Sequence, residues 1–245
     1  MERSPRGEHG TLIRRDALRD LWARAPEGGI RFDPATAPAS LRALLAPGVN
    51  VPRAVKLVMR GEIRIGRWRS FRATEVIDVE RGFVWRARVG GLIFGADSLV
   101  DGAGKLRWAI LGVLPVAKAS GPDVTRSAIA RWLLESIWLP SMLLPENGAR
   151  WNGSSVSLSR FGEEGTILFE LDAKGRPKSL RMRRWGDPAN TGTFDDHWFG
   201  GTVGEYRCFD GVSIPTRAQV GWHFGTEHWS EGELFRATIT EARFR

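Results

Sequence analysis

The sequence contains a single cysteine, Cys208, so no disulfide bond can form within the chain. Scarce cysteine is typical of a reducing compartment. No run of about 18 apolar residues occurs, so we expect no transmembrane helix. Residues 1–10 lack the apolar stretch of a signal peptide. These absences predict a cytoplasmic protein.

Known catalytic and cofactor-binding motifs are absent too. The sequence has no G-x-S-x-G, H-E-x-x-H, Walker A or G-x-G-x-x-G pattern. A lone cysteine cannot build a zinc finger. Cys208 shares a strand face with Tyr206, and we expect it to be a small buried apolar side chain. We therefore expect no metal and no cofactor, and no motif assigns a catalytic residue.

Lysine and tyrosine are scarce, whereas arginine and tryptophan are abundant. The chain has eleven tryptophans against one tyrosine, and its formal net charge is +8. Tryptophan buries a large area in cores and also lines ligand cavities. Arginine-rich surfaces suit phosphate or carboxylate partners. A solvated surface is the simpler interpretation of the charge.

Two regions differ in their pattern. In residues 1–37 we predict a tail and one amphipathic helix, because apolar side chains recur at helical spacing from Thr11 to Ala25. The run Pro26–Gly29 ends that helix. Residues 38–245 are predicted to form a single β-rich domain.

From Val55 the apolar period changes to two, which predicts half-buried antiparallel strands. The alternation is clear over 55–65, 71–79 and 83–89, and turn signals such as Asp101–Gly104 separate the later strands. The second half of the chain repeats this pattern. It is interrupted by a predicted long loop over 186–201.

The middle of the chain predicts one buried helix. It starts at a capping Ser120, has Pro122 in its first turn and ends at Pro140. Apolar residues, including Trp132 and Leu133, cover nearly its whole circumference, as in a helix buried on all sides. The fold is therefore predicted to be mainly β (α+β). A strongly curved antiparallel sheet or half-barrel of roughly ten strands wraps this central helix, with a helical N-terminal extension.

Several sequence blocks resemble a known family of uncharacterised bacterial proteins, known only as a domain of unknown function. The blocks are Arg60–Glu62, Thr74–Val76, Gly82–Trp85, Leu111–Val116, Ser120–Pro122, Glu135–Trp138, Leu143–Pro145, Tyr206, Asp210–Gly211 and Ile214–Arg217. The resemblance covers roughly Pro38 to Phe244 and implies no catalytic residue. The last blocks are also similar to LolA-like lipoprotein-carrier half-barrels, in which a curved sheet wraps helices and shelters an apolar cavity. The chain departs from those carriers in lacking a signal peptide.

Glu75 is the polar residue that the strand pattern places most unusually. It falls on the apolar face of its strand, in line with Ala73 and Ile77. A buried carboxylate needs a partner or a shifted pKa. Three interpretations stay open: a structural ion pair with an arginine, a polar anchor inside a pocket, or a general acid or base. No second carboxylate or base lies near it in sequence.

Two further features predict alternative functions. Asp195–His197 combines side chains that can bind metals, but a solvated loop is the simpler interpretation. Arginines lie on the polar faces of three successive predicted strands, where nucleic acid or an anionic membrane surface would bind. These arginines are Arg60, Arg64, Arg72, Arg86 and Arg88. The aromatics Phe71, Phe83 and Trp85 point the other way, so we expect no specific nucleic-acid binding.

The leading hypothesis is non-catalytic binding of an apolar or amphipathic small molecule in a cavity between sheet and helix. Glu75 would anchor the polar end of the ligand. The residues predicted to line the cavity with it are Trp85, Trp108, Trp132, Trp138, Met182 and Trp222. The alternatives are a hydrolase-like enzyme that uses Glu75 or the Asp195–His197 loop, and a nucleic-acid or anionic membrane-surface binder that uses the arginines.

Overall fold

The computed structural model describes residues 15–27, 31–35 and 37–245, so residues 11–14 of the predicted first helix lie outside the described part. In chain order the helices and strands are α1 (Arg15–Arg24), α2 (Ala39–Arg42), β1 (Ala54–Ile65), β2 (Arg67–Asp78), β3 (Gly82–Val89), β4 (Ile93–Val100), β5 (Ala103–Ile110), β6 (Leu114–Ser120), α3 (Pro122–Leu134), β7 (Arg150–Asn152), β8 (Ser155–Arg160), β9 (Glu163–Leu171), β10 (Pro177–Gly186), β11 (Asp195–Phe209), β12 (Val212–Trp222), α4 (Trp229–Gly232) and β13 (Glu233–Phe244). Three 3₁₀ turns between α3 and β7 are Glu135–Trp138, Pro140–Leu143 and Pro145–Asn147.

The strands form one antiparallel sheet in the order β6-β5-β4-β3-β2-β1-β13-β12-β11-β10-β9-β8-β7. Each half of the chain is a meander, and β13 returns to pair with β1. We call β1–β6 the first wing and β7–β13 the second wing. The sheet starts at β6 and ends at β7, so it is open rather than a closed barrel.

The predicted mainly β antiparallel sheet is confirmed. The predicted strand number of roughly ten is wrong, because the sheet has thirteen strands.

Helix α3 lies against both wings and is the segment that connects them. It contacts β3 to β6 of the first wing and β9 and β10 of the second. Glycine permits this close approach on each side. A Cβ on Gly104 of β5 would lie 2.6 Å from the Cα of Thr125, and one on Gly165 of β9 would lie 2.9 Å from Leu133. The helix therefore sits where the two strands have no side chain.

The predicted burial of the central helix is confirmed, since Ile129, Trp132 and Leu133 are almost fully buried. Pro122 lies in the first turn as predicted, but the predicted Ser120 cap and the predicted end at Pro140 are wrong. The residue that precedes the helix is Gly121, with φ 115°, and no side chain caps the first turn. The α-helix stops at Leu134, and Glu135–Trp138 continues as a tighter 3₁₀ turn that packs on β12. This change of winding directs Glu135 into the space beside Arg131.

Helix α1 packs on the opposite, convex face of the first wing. Its Leu21 is buried against Val76 and Val84, which form a small hydrophobic cluster separate from the main core. Val76 and Val84 are register partners on β2 and β3 and face away from α3. The helical N-terminal extension is thus present. In the described part of the chain, no helix is both long and apolar enough to cross a membrane.

Two local predictions on the second wing are wrong. Half of the predicted 186–201 loop, Gly186 and residues 195–201, is strand: Asp196 pairs with Trp185 and His197 with Arg184, so ladder hydrogen bonds outweigh weak strand propensity there. Cys208 is exposed rather than buried. Glu205 has φ 53° and interrupts the pleat of β11 just before this position, so the alternation does not continue to Cys208.

We predict that Gly104→Ala lowers the free energy of unfolding by about 1–3 kcal/mol, because the added methyl group collides with the backbone of α3. Urea unfolding followed by tryptophan fluorescence measures the change. Gly204→Ala is the matched control, since a Cβ at Gly204 meets no atom within 4 Å. Equal stability of the two variants would show that α3 is not seated on β5 as described.

Candidate ligand-binding cavity

A buried ionic cluster lies between α3 and the first wing. Arg131, in the last turn of α3, binds three carboxylates: Glu135 Oε1 at 2.7 Å, Asp97 Oδ2 at 2.9 Å and Glu75 Oε1 at 3.1 Å. The carboxylates come from the 3₁₀ turn after α3, from β4 and from β2. One guanidinium therefore joins three segments that are distant in the sequence.

Sheet register explains how two of these carboxylates meet the same arginine. Glu75 pairs with Trp85 across β2 and β3, and Trp85 pairs with Asp97 across β3 and β4. The three side chains form a row on the concave face. Glu135 lies one helical turn after Arg131, which is the spacing of an i,i+4 ion pair.

Burial raises the pKa of all three acidic groups of the cluster. Burial raises the pKa of Glu75 well above its ordinary value, the charge of Glu135 raises it further, and Arg131 opposes both. Burial also raises the pKa of Glu135, again against Arg131. A hydrogen bond between the two glutamates raises the pKa of Glu75 and lowers that of Glu135. Glu75 therefore has the more strongly raised pKa of the two glutamates, and the two carboxyl groups titrate as a pair.

Arg184 of β10 is a second cation in this space. It stacks on Phe199 at 4.3 Å and on Trp222 at 4.9 Å, and its Nε donates to the carbonyl of Ser127. Within the described residues no carboxylate forms an ion pair with it. Burial, reinforced by the charge of Arg131, lowers the pKa of Arg184 to about 9. The site thus holds a cation that lacks an anionic contact.

A cavity of about 220 Å³ opens between the cluster and the second wing. Besides the cluster and Arg184, its walls are apolar side chains from β1, β3, α3 with its 3₁₀ turn, and the strands of the second wing. These are Ile63, Trp85, Leu134, Ile137, Trp138, Leu180, Phe199, Val203, Ala218, Val220, Trp222, Leu234 and Phe235. Ile63, Trp222 and Phe235 are only half-buried, so the mouth lies at this end of the sheet.

Several buried polar atoms at the cavity have no hydrogen-bond partner within the described residues. They are Oε2 of Glu75, Oε2 of Glu135 and Nε1 of Trp85. The indole N–H of Trp85, in a side chain that is only 2% exposed, stays unpaired. Buried polar groups without partners are uncommon in native proteins and point to a water or ligand contact.

The structure brings four of the seven predicted cavity residues together. Glu75, Trp85, Trp138 and Trp222 line the cavity. Glu75 contacts Arg131, which agrees with the ion-pair interpretation. It also lines the cavity, but its role as a polar anchor for a ligand stays a prediction.

The other three predicted residues lie outside the cavity wall. Trp108 packs against Trp85 at 5.8 Å and donates to Asp97 at 3.2 Å, so it supports the wall from behind. Trp132 donates to the carbonyl of Asp78, and Met182 packs where α3 meets Gly165. Both faces of the helix are apolar, and the sequence pattern alone does not determine which one meets the cavity.

Sequence reasoning missed Asp97, Arg131, Glu135 and Arg184. Asp97 alternates with Leu99 on the inward face of β4, the same signal that identified Glu75. Arg131 and Glu135 are i,i+4 partners within an otherwise apolar run. Arg184 alternates with the buried Met182 on β10. These signals were available, but the partners of each residue depend on strand register and on how α3 crosses the sheet.

The Asp195–His197 segment does not join the cavity. Asp196 pairs with Arg126 at 3.3 Å on another side of α3, and His197 lies 5.5 Å from His223 between ring centres. Over the described ranges, no group of three or more histidine, cysteine, aspartate or glutamate side chains is arranged to hold a metal ion.

A family model described as a family of unknown function (DUF6920) matches residues 34–244. A similar solved structure comes from Vibrio parahaemolyticus and is described as an outer membrane lipoprotein-sorting protein domain. It is 10% identical, with a TM-score of 0.42, over 78% of this chain and 85% of that one. No curated protein matches the chain.

We predict that the stability of the fold depends on the proton of Glu75. Its pKa is raised above the ordinary value of 4.5. The contribution of the protonated Glu75 side chain to the free energy of unfolding is therefore complete below pH 4.5. It is lost as the pH rises through the raised pKa. Glu75→Gln keeps a neutral side chain at every pH. The free energy of unfolding of Glu75→Gln relative to the native chain should therefore increase with pH, by at most about 1.4 kcal/mol per pH unit.

Urea unfolding between about pH 5 and pH 8 measures this difference, with Glu241→Gln on the exposed side of β13 as the control. Parallel pH profiles for the native chain and Glu75→Gln would show that Glu75 is ionised throughout this range.

Proposed function

This chain belongs to the DUF6920 family, a family of unknown function, and we propose that it binds an amphipathic small molecule with an anionic head without transforming it. The observation that carries the proposal is an apolar cavity that ends on Arg184, a half-buried cation with no carboxylate partner in the described structure. An anionic head beside Arg184 replaces the lost hydration of this cation. The apolar walls cover the rest of the ligand.

The polar cluster favours an anion over a cation as the head of the ligand. Three carboxylates already surround Arg131, whereas Arg184 has donors to spare. The free N–H of Trp85 supplies a further donor. A carboxylate or a phosphate fits these groups, and an ammonium head does not.

The size of the cavity limits the apolar part of the ligand. Its 220 Å³ equals the volume of about seven water molecules and falls below the range of roughly 300–1,000 Å³ for drug-sized ligands. A medium-length acyl chain or a single ring system fits, whereas a two-chain lipid does not. We therefore propose medium-chain fatty acids as the first probes.

Quenching of intrinsic tryptophan fluorescence tests the proposal, since Trp85 and Trp222 line the cavity. Titration with decanoate should give saturable quenching at about one ligand per chain, and palmitate should bind more weakly because its chain exceeds the cavity. Absence of saturable quenching by octanoate, decanoate and a hydrophobic dye would contradict the proposal.

Arg184→Met removes the cation but keeps an apolar stem against Phe199 and Trp222. We predict that it weakens decanoate binding roughly ten- to a hundredfold, because a charge-assisted hydrogen bond contributes about 1.5–3 kcal/mol. Arg183→Met is the control: it makes the same charge change on the exposed face of the same strand. Equal weakening in both variants would show that overall charge, not the cavity, holds the ligand.

The glutamates favour a second candidate function, an acid–base enzyme. Two buried carboxyl groups that share a proton are suited to general acid–base catalysis. Glu75→Gln separates the candidates, because a binding protein keeps its decanoate affinity within a few-fold, whereas an acid–base enzyme loses its turnover. Turnover of ester or phosphate substrates that disappears in this variant would favour the enzyme.

A further inference from the structure

Three hairpin turns of the first wing lie at one end of the sheet. They join β1 to β2, β3 to β4 and β5 to β6, and alternate turns of an antiparallel meander fall on the same side. Hydrogen bonds connect them: Gly90 N–H donates to Ser70 O, and Leu111 N–H donates to Leu92 O, each at 2.8 Å. We call residues 64–69, 88–94 and 110–116 the hairpin tip.

The hairpin tip exposes an unusual amount of apolar surface. Of the nine large apolar side chains that are exposed in the described structure, only Phe161 lies elsewhere. The most exposed are Leu92, Leu111, Val113, Leu114 and Val116, between 57% and 75%. Single exposed apolar residues are ordinary, but a contiguous group marks an interaction surface.

Leu111 is held in a conformation that its side chain does not favour. Leu111 has φ 52° and Gly112 φ 74°, the pattern of a type I′ turn, in which asparagine or glycine is preferred. Phe161 occupies the same kind of turn position before Gly162, but its ring stacks on Trp132. Leu111 belongs to neither hydrophobic cluster of the described residues. An exposed leucine in a strained position is therefore explained best by a contact outside the chain.

The charged side chains around the exposed apolar residues of the hairpin tip are all basic. Arg64, Arg67, Arg69 and Arg88 belong to the hairpin tip, and within the described structure none forms an ion pair with a carboxylate. Residues 63–74, 86–96 and 105–119 contain no aspartate or glutamate. A second copy of the same tip would meet like charge. Phosphate headgroups above an acyl layer complement both the arginines and the apolar side chains.

We propose that the hairpin tip docks on an anionic phospholipid membrane, with its apolar side chains inserted at the boundary between headgroups and acyl chains. Docking would bring the cavity mouth to the membrane surface. Ile63, which lines the cavity and pairs with Phe235, is two residues from the β1–β2 turn. The proposal does not depend on the identity of the cavity ligand, so Arg184→Met is expected to keep membrane binding.

Co-sedimentation of the full chain with vesicles tests the proposal. We expect saturable binding to vesicles of phosphatidylcholine with phosphatidylglycerol, weaker binding to phosphatidylcholine alone, and a loss of affinity with added salt. Leu111→Asn removes an inserted side chain while it relaxes the turn. It should therefore reduce binding roughly tenfold or more without loss of stability. Phe161→Asn makes the same change in the matching turn away from the tip and should bind as the native chain does.

A second pair of variants separates charge at the tip from overall charge. Arg67→Gln should weaken binding several-fold, whereas Arg207→Gln on the exposed part of β11 should not. Equal binding by Leu111→Asn and Phe161→Asn, or no binding by the native chain, would overturn the proposal. A concentration-dependent dimer that Leu111→Asn abolishes would overturn it too, since the tip would then be an interface between two copies.

Discussion

The contact of Arg131 with three carboxylates is the interaction on which the rest of the structure depends. It joins α3 to β2 and β4 at the point where the helix passes from the first wing to the second. Loss of the guanidinium would leave buried carboxylates without a cation, which costs about 3–5 kcal/mol for a single broken pair. The raised pKa of Glu75 relieves part of this demand, because a carboxyl group that holds its proton needs no cation.

The same cluster explains why the concave side of the sheet is not completely filled. Charged groups that need partners cannot be covered by apolar side chains alone, and Arg184 lies opposite them on the other wing. The aromatic residues Trp85, Phe199 and Trp222 span the distance between the two charged positions. A cavity with a polar end and apolar walls is the result, and it opens at the end of the sheet that carries the exposed hairpin tip.

Strand alternation was sufficient to predict the mainly β fold, the burial of α3 and the inward position of Glu75. Side-chain period reports which face a residue occupies, but it does not report which residue of another strand lies beside it. The row of Glu75, Trp85 and Asp97 depends on the length of each hairpin turn. The placement of Trp132 and Met182 outside the cavity depends on the rotation of α3, which the close approaches at Gly104 and Gly165 determine. Strand register and the rotation of α3 are both long-range properties of the folded chain.

The central claim is that the cavity binds an amphipathic anion with its head beside Arg184. A crystal structure of the chain grown with decanoate tests this most directly. The account predicts electron density for one acyl chain against Phe199 and Trp222, with the carboxylate within hydrogen-bond distance of the Arg184 guanidinium. A cavity that contains only ordered water at saturating decanoate, or a carboxylate bound away from Arg184, would contradict it.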